Sequence, residues 1–282
     1  GYELIRDLHP GEVIFVDSRR RAHAKKCVEK IHFRPCIFEY VYLARPDSII
    51  DEVSVYKSRL RMGESLAKQV KKAEIEIDVV IPIPDSSRSA ALTLAHNLGV
   101  KYREGIVKNR YIGRTFIMPG QHMRQKSIKQ KLNTLPLEIK DKSVLLVDDS
   151  IVRGNTIKLL IEMVKRSGAK KIYVASAAPP LISPCVYGVD MPSKKEFIAN
   201  GQTIDQIAKE IGADGLFYQD LADLKEACRE GNPEIEDLCA ACMDKKYPTD
   251  DVTEEILNQM ENIRCGEKAE GKVEEMGQLK LT

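Results

Sequence analysis

The 282 residues carry 44 Lys and Arg against 42 Asp and Glu, and no segment gathers its cations into a basic stripe, so nucleic acid is not an expected partner. No apolar run reaches the roughly 18 residues a membrane span requires, and the amino end lacks a signal-peptide pattern, so the expected setting is cytoplasmic and away from membrane. Seven cysteines, an odd number, argue against a secreted disulfide framework and leave metal ligation as one use for some of them.

In chain order, Glu12 to Val16 is a strand candidate, and the basic run Arg19 to Lys26 reads as a solvated turn. Cys36 to Ser48 reads as a strand closed by a turn at Pro46. Ser54 to Lys72 places Val55, Leu60, Leu66 and Val70 at helical spacing between charges, an amphipathic helix for packing on a sheet. Asp78 to Ser87 is a strand running into a loop stiffened by Pro82 and Pro84, followed by a helix from Arg88 to Leu98 that Gly99 closes. Ser86 and Ser87, at that helix start, suit an ordinary N-cap, a Mg²⁺ ligand or a donor to phosphate.

After a strand at Gly105 to Asn109, the stretch 110–133 has Gly and Pro breaks, poor periodicity and many cations. A structureless stretch of about twenty residues in a compact domain is usually functional or disordered. Lys108, Arg110, Arg114, Arg124, Lys126 and Lys131 give it the charge to neutralise an anionic leaving group. Beyond it lie strands at Lys171 to Pro180 and Gly215 to Tyr218, helices at Thr203 to Ile211 and Leu221 to Arg229, and a surface helix at Val252 to Ile263 in a charged tail.

The most informative stretch is Ser143 to Thr156. Val144 to Val147 form a short apolar strand suited to burial on both faces of a parallel sheet. Asp148 and Asp149 stand where it ends, followed by Ser150, Ile151, Val152, Arg153, Gly154, Asn155 and Thr156, then a helix to Ser167 stopped by Gly168. A strand end feeding a helix start favours an anion such as phosphate. Two carboxylates beside an anion hole make sense when the ligand also carries vicinal hydroxyls, which ionised Asp accepts well. A ribose 5-phosphate unit has both.

The segment Val-Leu-Leu-Val-Asp-Asp-Ser-Ile-Val-Arg-Gly-Asn-Thr resembles the phosphoribosylpyrophosphate (PRPP) signature of type I phosphoribosyltransferases, in the wording of the glutamine PRPP amidotransferase family. The segments led by Cys36 and Cys185 and the stretch 110–133 resemble that family too. The resemblance implies an α/β fold with a central, mostly parallel sheet flanked by helices, a small hood and a long flexible loop closing over PRPP. It implies displacement of pyrophosphate by ammonia to give 5-phosphoribosylamine, the first committed purine step.

In that reading Asp148 and Asp149 are catalytic and hold the ribose hydroxyls. Ser150 to Thr156 hold the 5-phosphate, Lys108, Arg114 and Lys131 serve PRPP, and Ser86, Asp148 and Asp149 face Mg²⁺. Residues 1–35 resemble the end of a glutaminase domain with its linker, 36–250 the transferase domain and 251–282 a charged tail. The family's catalytic cysteine would lie before Gly1, so this chain is not expected to hydrolyse glutamine. Purine nucleotides are implied as inhibitors and a homo-oligomer as the assembly. A salvage phosphoribosyltransferase acting on a nucleobase and a non-catalytic PRPP sensor are the rival readings.

Cys239-Ala-Ala-Cys242 suits a redox pair, half a zinc site or coincidence when taken alone. Its resemblance to the bacterial branch of the family implies that Cys36, Cys185, Cys239 and Cys242 bind a [4Fe–4S] cluster, with zinc as the second metal. Cys27, Cys228 and Cys265 have no assigned role.

Overall fold

The computed structural model describes residues 3, 5–29, 31, 33–109, 111, 131–191 and 193–265. Its centre is a sheet of five parallel strands, β5 (Val79–Pro82), β6 (Lys101–Tyr102), β9 (Ser143–Asp148), β10 (Lys171–Ser176) and β11 (Gly215–Tyr218). Their spatial order is β6-β5-β9-β10-β11. Counted along the chain this is 2-1-3-4-5, a doubly wound arrangement whose connections reverse direction between β5 and β9.

The period-2 alternation of β9 decides what covers each face. Val144 and Leu146 join one core with Ile157, Leu160, Ile161 and Val164 of helix α4 (Asn155–Arg166) and with α5 (Ile204–Ile211). Leu145 and Val147 point the other way, to Leu66, Ala67 and Val70 of α1 (Val55–Lys71) and to Ala91, Leu94 and Ala95 of α2 (Arg88–Leu98). All four β9 side chains are fully buried, each contributing roughly 1.5–3 kcal/mol before the entropy of ordering is subtracted. A central strand covered on both faces must be apolar throughout, which is why this run lacks a polar alternate.

The two helices on the second face approach closely at Gly63. A Cβ there would lie 2.2 Å from the Ala90 carbonyl oxygen, a backbone atom that cannot swing away. Gly63→Ala is therefore expected to destabilise the fold by about 1–3 kcal/mol, as overpacked cores do, and thermal denaturation checks it.

A third core joins the carboxyl-terminal region to the segment after Cys36. Ile37, Tyr40 and Val41 pack there with Leu181, Met191, Phe197, Leu238 and residues of α6 (Leu221–Arg229) and α7 (Ala241–Asp244). Here the strand expected at Cys36 to Ser48 is corrected: Glu39–Leu43 is a π-helical turn, with Ala44 N–H donating to the Glu39 carbonyl at 3.0 Å. Its β-branched and aromatic content suggests a strand, but burial falls on Ile37, Phe38, Tyr40 and Val41, the i, i+1, i+3, i+4 spacing of a helix face and not the alternation of a strand.

The basic run is corrected in part. Its turn leads into β2 (Ala22–Lys26), which pairs antiparallel with β1 (Glu12–Val16) as an exposed hairpin. Short antiparallel pairs also join β3 (Ile49–Ile50) to β4 (Val53–Ser54), and β7 (Ile106–Lys108) to β8 (Leu132–Thr134). The short α3 (Pro136–Ile139) precedes β9, and α8 (Glu254–Cys265) ends the described chain two residues later than the spacing suggests. Among the described residues no helix is long and apolar enough to cross a membrane.

Candidate active site

Open α/β sheets bind ligands outside the carboxyl ends of their strands where the connections reverse. In this chain that crevice lies between the loop after β5 and the loop after β9. Pro82 pairs with Val147, and the Ile83 N–H donates to the Val147 carbonyl at 2.8 Å, so the two loops leave the sheet side by side. The Pro84–Asp85 peptide in the first loop is cis.

The two loops meet at Asp149. The Ser86 hydroxyl donates to its Oδ2, the Ser150 hydroxyl donates to its Oδ1 at 2.8 Å, and its own N–H donates to Asp148 Oδ1 at 3.0 Å. Burial, then the neighbouring Asp149 charge, pushes the Asp148 carboxyl well above the usual carboxylate range. Burial raises Asp149 as well, while the Ser86 and Ser150 hydroxyls and the Arg59 guanidinium pull it back. Ser87 plays a different part: its hydroxyl donates to the Ile83 carbonyl and closes the turn.

The stretch from Ser150 to Gly154 is a cradle of backbone amides. Among the described residues, none accepts a hydrogen bond from the N–H of Ile151, Val152, Arg153 or Gly154. Gly154 caps α4 with φ +73, and a Cβ on it would lie 2.3 Å from Ile198 Cδ1. The segment after the 3₁₀ turn Lys194–Glu196 braces this loop from behind: the Ile198 N–H donates to the Val152 carbonyl at 2.9 Å. Arg153, expected as part of the anion site, has its Nε on Glu196 Oε1 at 2.8 Å. Glu196 is itself held by the Ser193 N–H and hydroxyl, each at 3.2 Å.

Of the loop cations, Lys108 lies beside the first loop, its Nζ 2.7 Å from Asp85 Oδ2. The Asn109 N–H donates to the Lys131 carbonyl at 2.6 Å, continuing the pairing of β7 with β8. Desolvation, then the charge of Lys108, lowers Lys131 from the usual ammonium range. Arg110, Arg114, Arg124 and Lys126 lie outside the described residues.

Two parts of the site are missed by spacing. Asp85 ties Lys108 and Arg88 to the first loop, at 2.7 and 3.5 Å. In α1, Leu60 is only partly buried, whereas Arg59 is 4% exposed and donates to the Tyr40 and Ala44 carbonyls, both at 2.9 Å. Position 59 falls on the stripe of Val55, Met62 and Leu66, and a cation on an apolar stripe is the signal that spacing alone passes over.

The cysteines assigned together are also brought together. Cys36, Cys185, Cys239 and Cys242 line one cavity of about 10 Å³, the room of a single water. Cys36 and Cys239 are bridged through their backbones: the Ile37 N–H donates to the Cys239 carbonyl at 3.1 Å, and the Cys239 N–H to the Pro35 carbonyl at 2.8 Å. Burial pushes the Cys36 thiol up to about 11 and raises those of Cys239 and Cys242. Among the described residues no three His, Cys, Asp or Glu side chains are placed to hold a metal ion. The donor chemistry of four cysteines around one cavity suits a thiolate-preferring metal.

A family model for the phosphoribosyl transferase domain matches residues 52–194, from just before α1 to the 3₁₀ turn at Lys194–Glu196. The chain belongs to the phosphoribosyl transferase family. Within this family it is 54% identical over 266 residues to an amidophosphoribosyltransferase of Pseudomonas aeruginosa, covering 94% of this chain and 53% of that protein. It is 45% identical over 280 residues to one of Schizosaccharomyces pombe, covering 94% and 52%. The chain thus spans about half the length of the curated relatives it matches. Among solved structures it is similar to glutamine PRPP amidotransferase from B. subtilis complexed with ADP and GMP, with a TM-score of 0.75 and 35% identity over 90% of this chain and 56% of that one.

Proposed function

We propose that this chain is the transferase part of an amidophosphoribosyltransferase, forming 5-phosphoribosylamine from PRPP and ammonia. The nitrogen comes from glutamine when a glutaminase domain accompanies it, and the setting is cytoplasmic. The observation that carries this reading is the meeting of a paired-acid strand end with loop amides that have no acceptor among the described residues at the switch point, in a chain so similar to amidophosphoribosyltransferases.

In this reading Asp148 and Asp149 accept hydrogen bonds from the ribose hydroxyls. The amides of Ser150, Ile151, Val152, Arg153, Gly154 and Asn155, with the Thr156 hydroxyl, hold the 5-phosphate at the start of α4, where the helix dipole adds to them. Lys108 and Lys131, with Arg114 from the stretch outside the described residues, supply the charge that offsets the pyrophosphate. The ammonia lone pair forms the C1–N bond as the C1–O bond breaks. Pyrophosphate departs with the bonding electrons, and the new ammonium loses its proton to water. Positive charge builds on the ribose as the leaving group goes, so the protein's work is positioning and electrostatic stabilisation.

Mg²⁺ fits this site. Magnesium is usually held by one or two carboxylates together with substrate phosphates, and the Ser86, Asp148 and Asp149 oxygens supply that share without a preformed cage. When bound it offsets the charge of the pyrophosphate. Purine nucleotides, which carry the same ribose phosphate, are inhibitors of this site, and the working assembly is a homo-oligomer.

For the cysteine quartet the proposed occupant is a [4Fe–4S] cluster with a structural role, zinc being the second choice. Thiols raised by burial give up their protons only as metal binds, and side chains that close on a single water must part to admit it. Anaerobic purification is expected to yield iron and sulfide with a visible absorption shoulder. A colourless, zinc-loaded protein would replace the cluster with zinc.

An assay of pyrophosphate release with PRPP, Mg²⁺ and ammonium tests the activity. Release that depends on ammonia is expected. Release driven by a free purine or pyrimidine base would establish the salvage reading instead, and PRPP binding without turnover a sensor.

A further inference from the structure

The loop after β5 turns its two hydroxyls inward and its acid outward. Ser86 donates to Asp149 and Ser87 to the Ile83 carbonyl, whereas Asp85, at the head of the same turn, is exposed and meets cations from two other elements. Lys108, the last residue of β7, sets its Nζ 2.7 Å from Asp85 Oδ2. Arg88, the first residue of α2, holds its Nη2 3.5 Å from Asp85 Oδ1 and 2.9 Å from Glu104 Oε2. Glu104 accepts in turn from the Tyr102 hydroxyl at 3.1 Å. The Arg88 Nε is buried and has no hydrogen-bond partner among the described residues, so this guanidinium is incompletely satisfied where it stands. Lys108 is therefore the close partner of Asp85, and Arg88 the loose one.

A lysine ammonium is a compact charge on a flexible stem, able to exchange one anionic oxygen for another. Exposed ion pairs are weak, and a multiply charged phosphate group competes well against a single carboxylate for the same cation. When Lys108 leaves, the carboxylate keeps a counter-charge, because Arg88 already stands beside it. We infer that Asp85 is a positioning residue of the transferase reaction: it holds Lys108 beside the loop in the protein without substrate, yields it to the pyrophosphate of PRPP, and takes it back as pyrophosphate leaves. Asp85 touches neither the sugar nor the leaving group and acts through Lys108. The inference rests on the reading of Lys108 as a charge partner of the pyrophosphate, whereas the contact between Asp85 and Lys108 belongs to the structure itself.

Asp85→Asn keeps the size of the side chain and removes the charge that holds Lys108, at an exposed position where substitution leaves folding largely unchanged. Calorimetry on the full chain with inorganic pyrophosphate and Mg²⁺ is expected to show binding about threefold or more tighter in Asp85→Asn than in the parent, the scale of one exposed ion pair. In steady-state assays the same variant is expected to have a lower KM for PRPP and proportionately stronger inhibition by pyrophosphate as product. In a Lys108→Ala background the gain from Asp85→Asn is expected to vanish, since no ammonium remains to be released. A gain of equal size in that background would mean that Asp85 merely repels anions. Unchanged or weaker pyrophosphate binding in Asp85→Asn, or loss of folding, would make it a prop for the loop. Each of these outcomes overturns the inference and leaves the sugar-phosphate reading standing. A parent chain that melts cooperatively yet binds neither pyrophosphate nor PRPP overturns both together.

Discussion

Asp148→Asn is expected to slow ammonia-dependent turnover by about ten- to a hundredfold while making the protein without substrate more stable. The first effect follows from losing a charged acceptor for a ribose hydroxyl, a hydrogen bond of about 1.5–3 kcal/mol, at tenfold per roughly 1.4 kcal/mol. The second follows from the electrostatics of the crevice, where burial and the adjacent Asp149 push the Asp148 carboxyl well up. A carboxyl raised in this way lends its stability fully only below its unfolded value, about 3.9. That contribution is lost as pH rises through the raised folded value. Above the unfolded value the parent therefore bears the cost of a buried, crowded acid that the substituted chain lacks. The difference in melting temperature is expected to be positive near pH 8 and to shrink as pH falls through the raised value toward the unfolded one. The Asp149 N–H keeps an acceptor in the carbonyl oxygen of the new side-chain amide, so the loop is not expected to open. Adding Asp149→Asn takes turnover down to about a thousandfold below the parent on the same energies. Turnover assays and melting curves across pH check both halves.

Gly154→Ala is the second substitution with a large expected effect. The left-handed backbone there costs an L-residue about 1–2 kcal/mol, and the added Cβ would sit 2.3 Å from Ile198 Cδ1. Either strain is relieved by shifting the loop whose amides make the cradle. PRPP affinity is expected to fall by about tenfold or more. Trimming the neighbour with Ile198→Val opens room for the Cβ and leaves the backbone strain, so the double variant is expected to recover part of the loss. Full recovery would show that the clash alone mattered; none would show that φ alone did.

The legible and the hidden parts of this fold divide on physical lines. The run Val144 to Val147 announces its own burial because a central parallel strand has no polar face, and the acids after it mark where the sheet ends. Helices α2 and α4 were readable from period and stop signals, which are local. The π-helical turn was not, since Ile37, Phe38, Tyr40 and Val41 favour a strand by composition, and the turn is held by a guanidinium 15 to 19 residues further on. Strand β2 was hidden for the opposite reason: Ala22 to Lys26 has no apolar pattern and is fixed by its partner strand alone. In the site, the acids, the cradle and Ser86 stand in recognisable order along the chain. Arg59, Asp85 and Glu196 do not, because each acts on a residue far along the chain or through a loop whose course the sequence does not state. The four cysteines were grouped by resemblance, and the fold gathers them at one cavity, with the occupant left to iron and zinc analysis.

Titration of the folded chain with PRPP in the presence of Mg²⁺, followed by calorimetry, tests the central claim most directly. Saturable binding to one site per chain is predicted, weakened by Asp148→Asn and by Gly154→Ala. A chain that melts cooperatively yet takes up no PRPP would contradict the assignment of the crevice between β5 and β9 to an activated sugar phosphate.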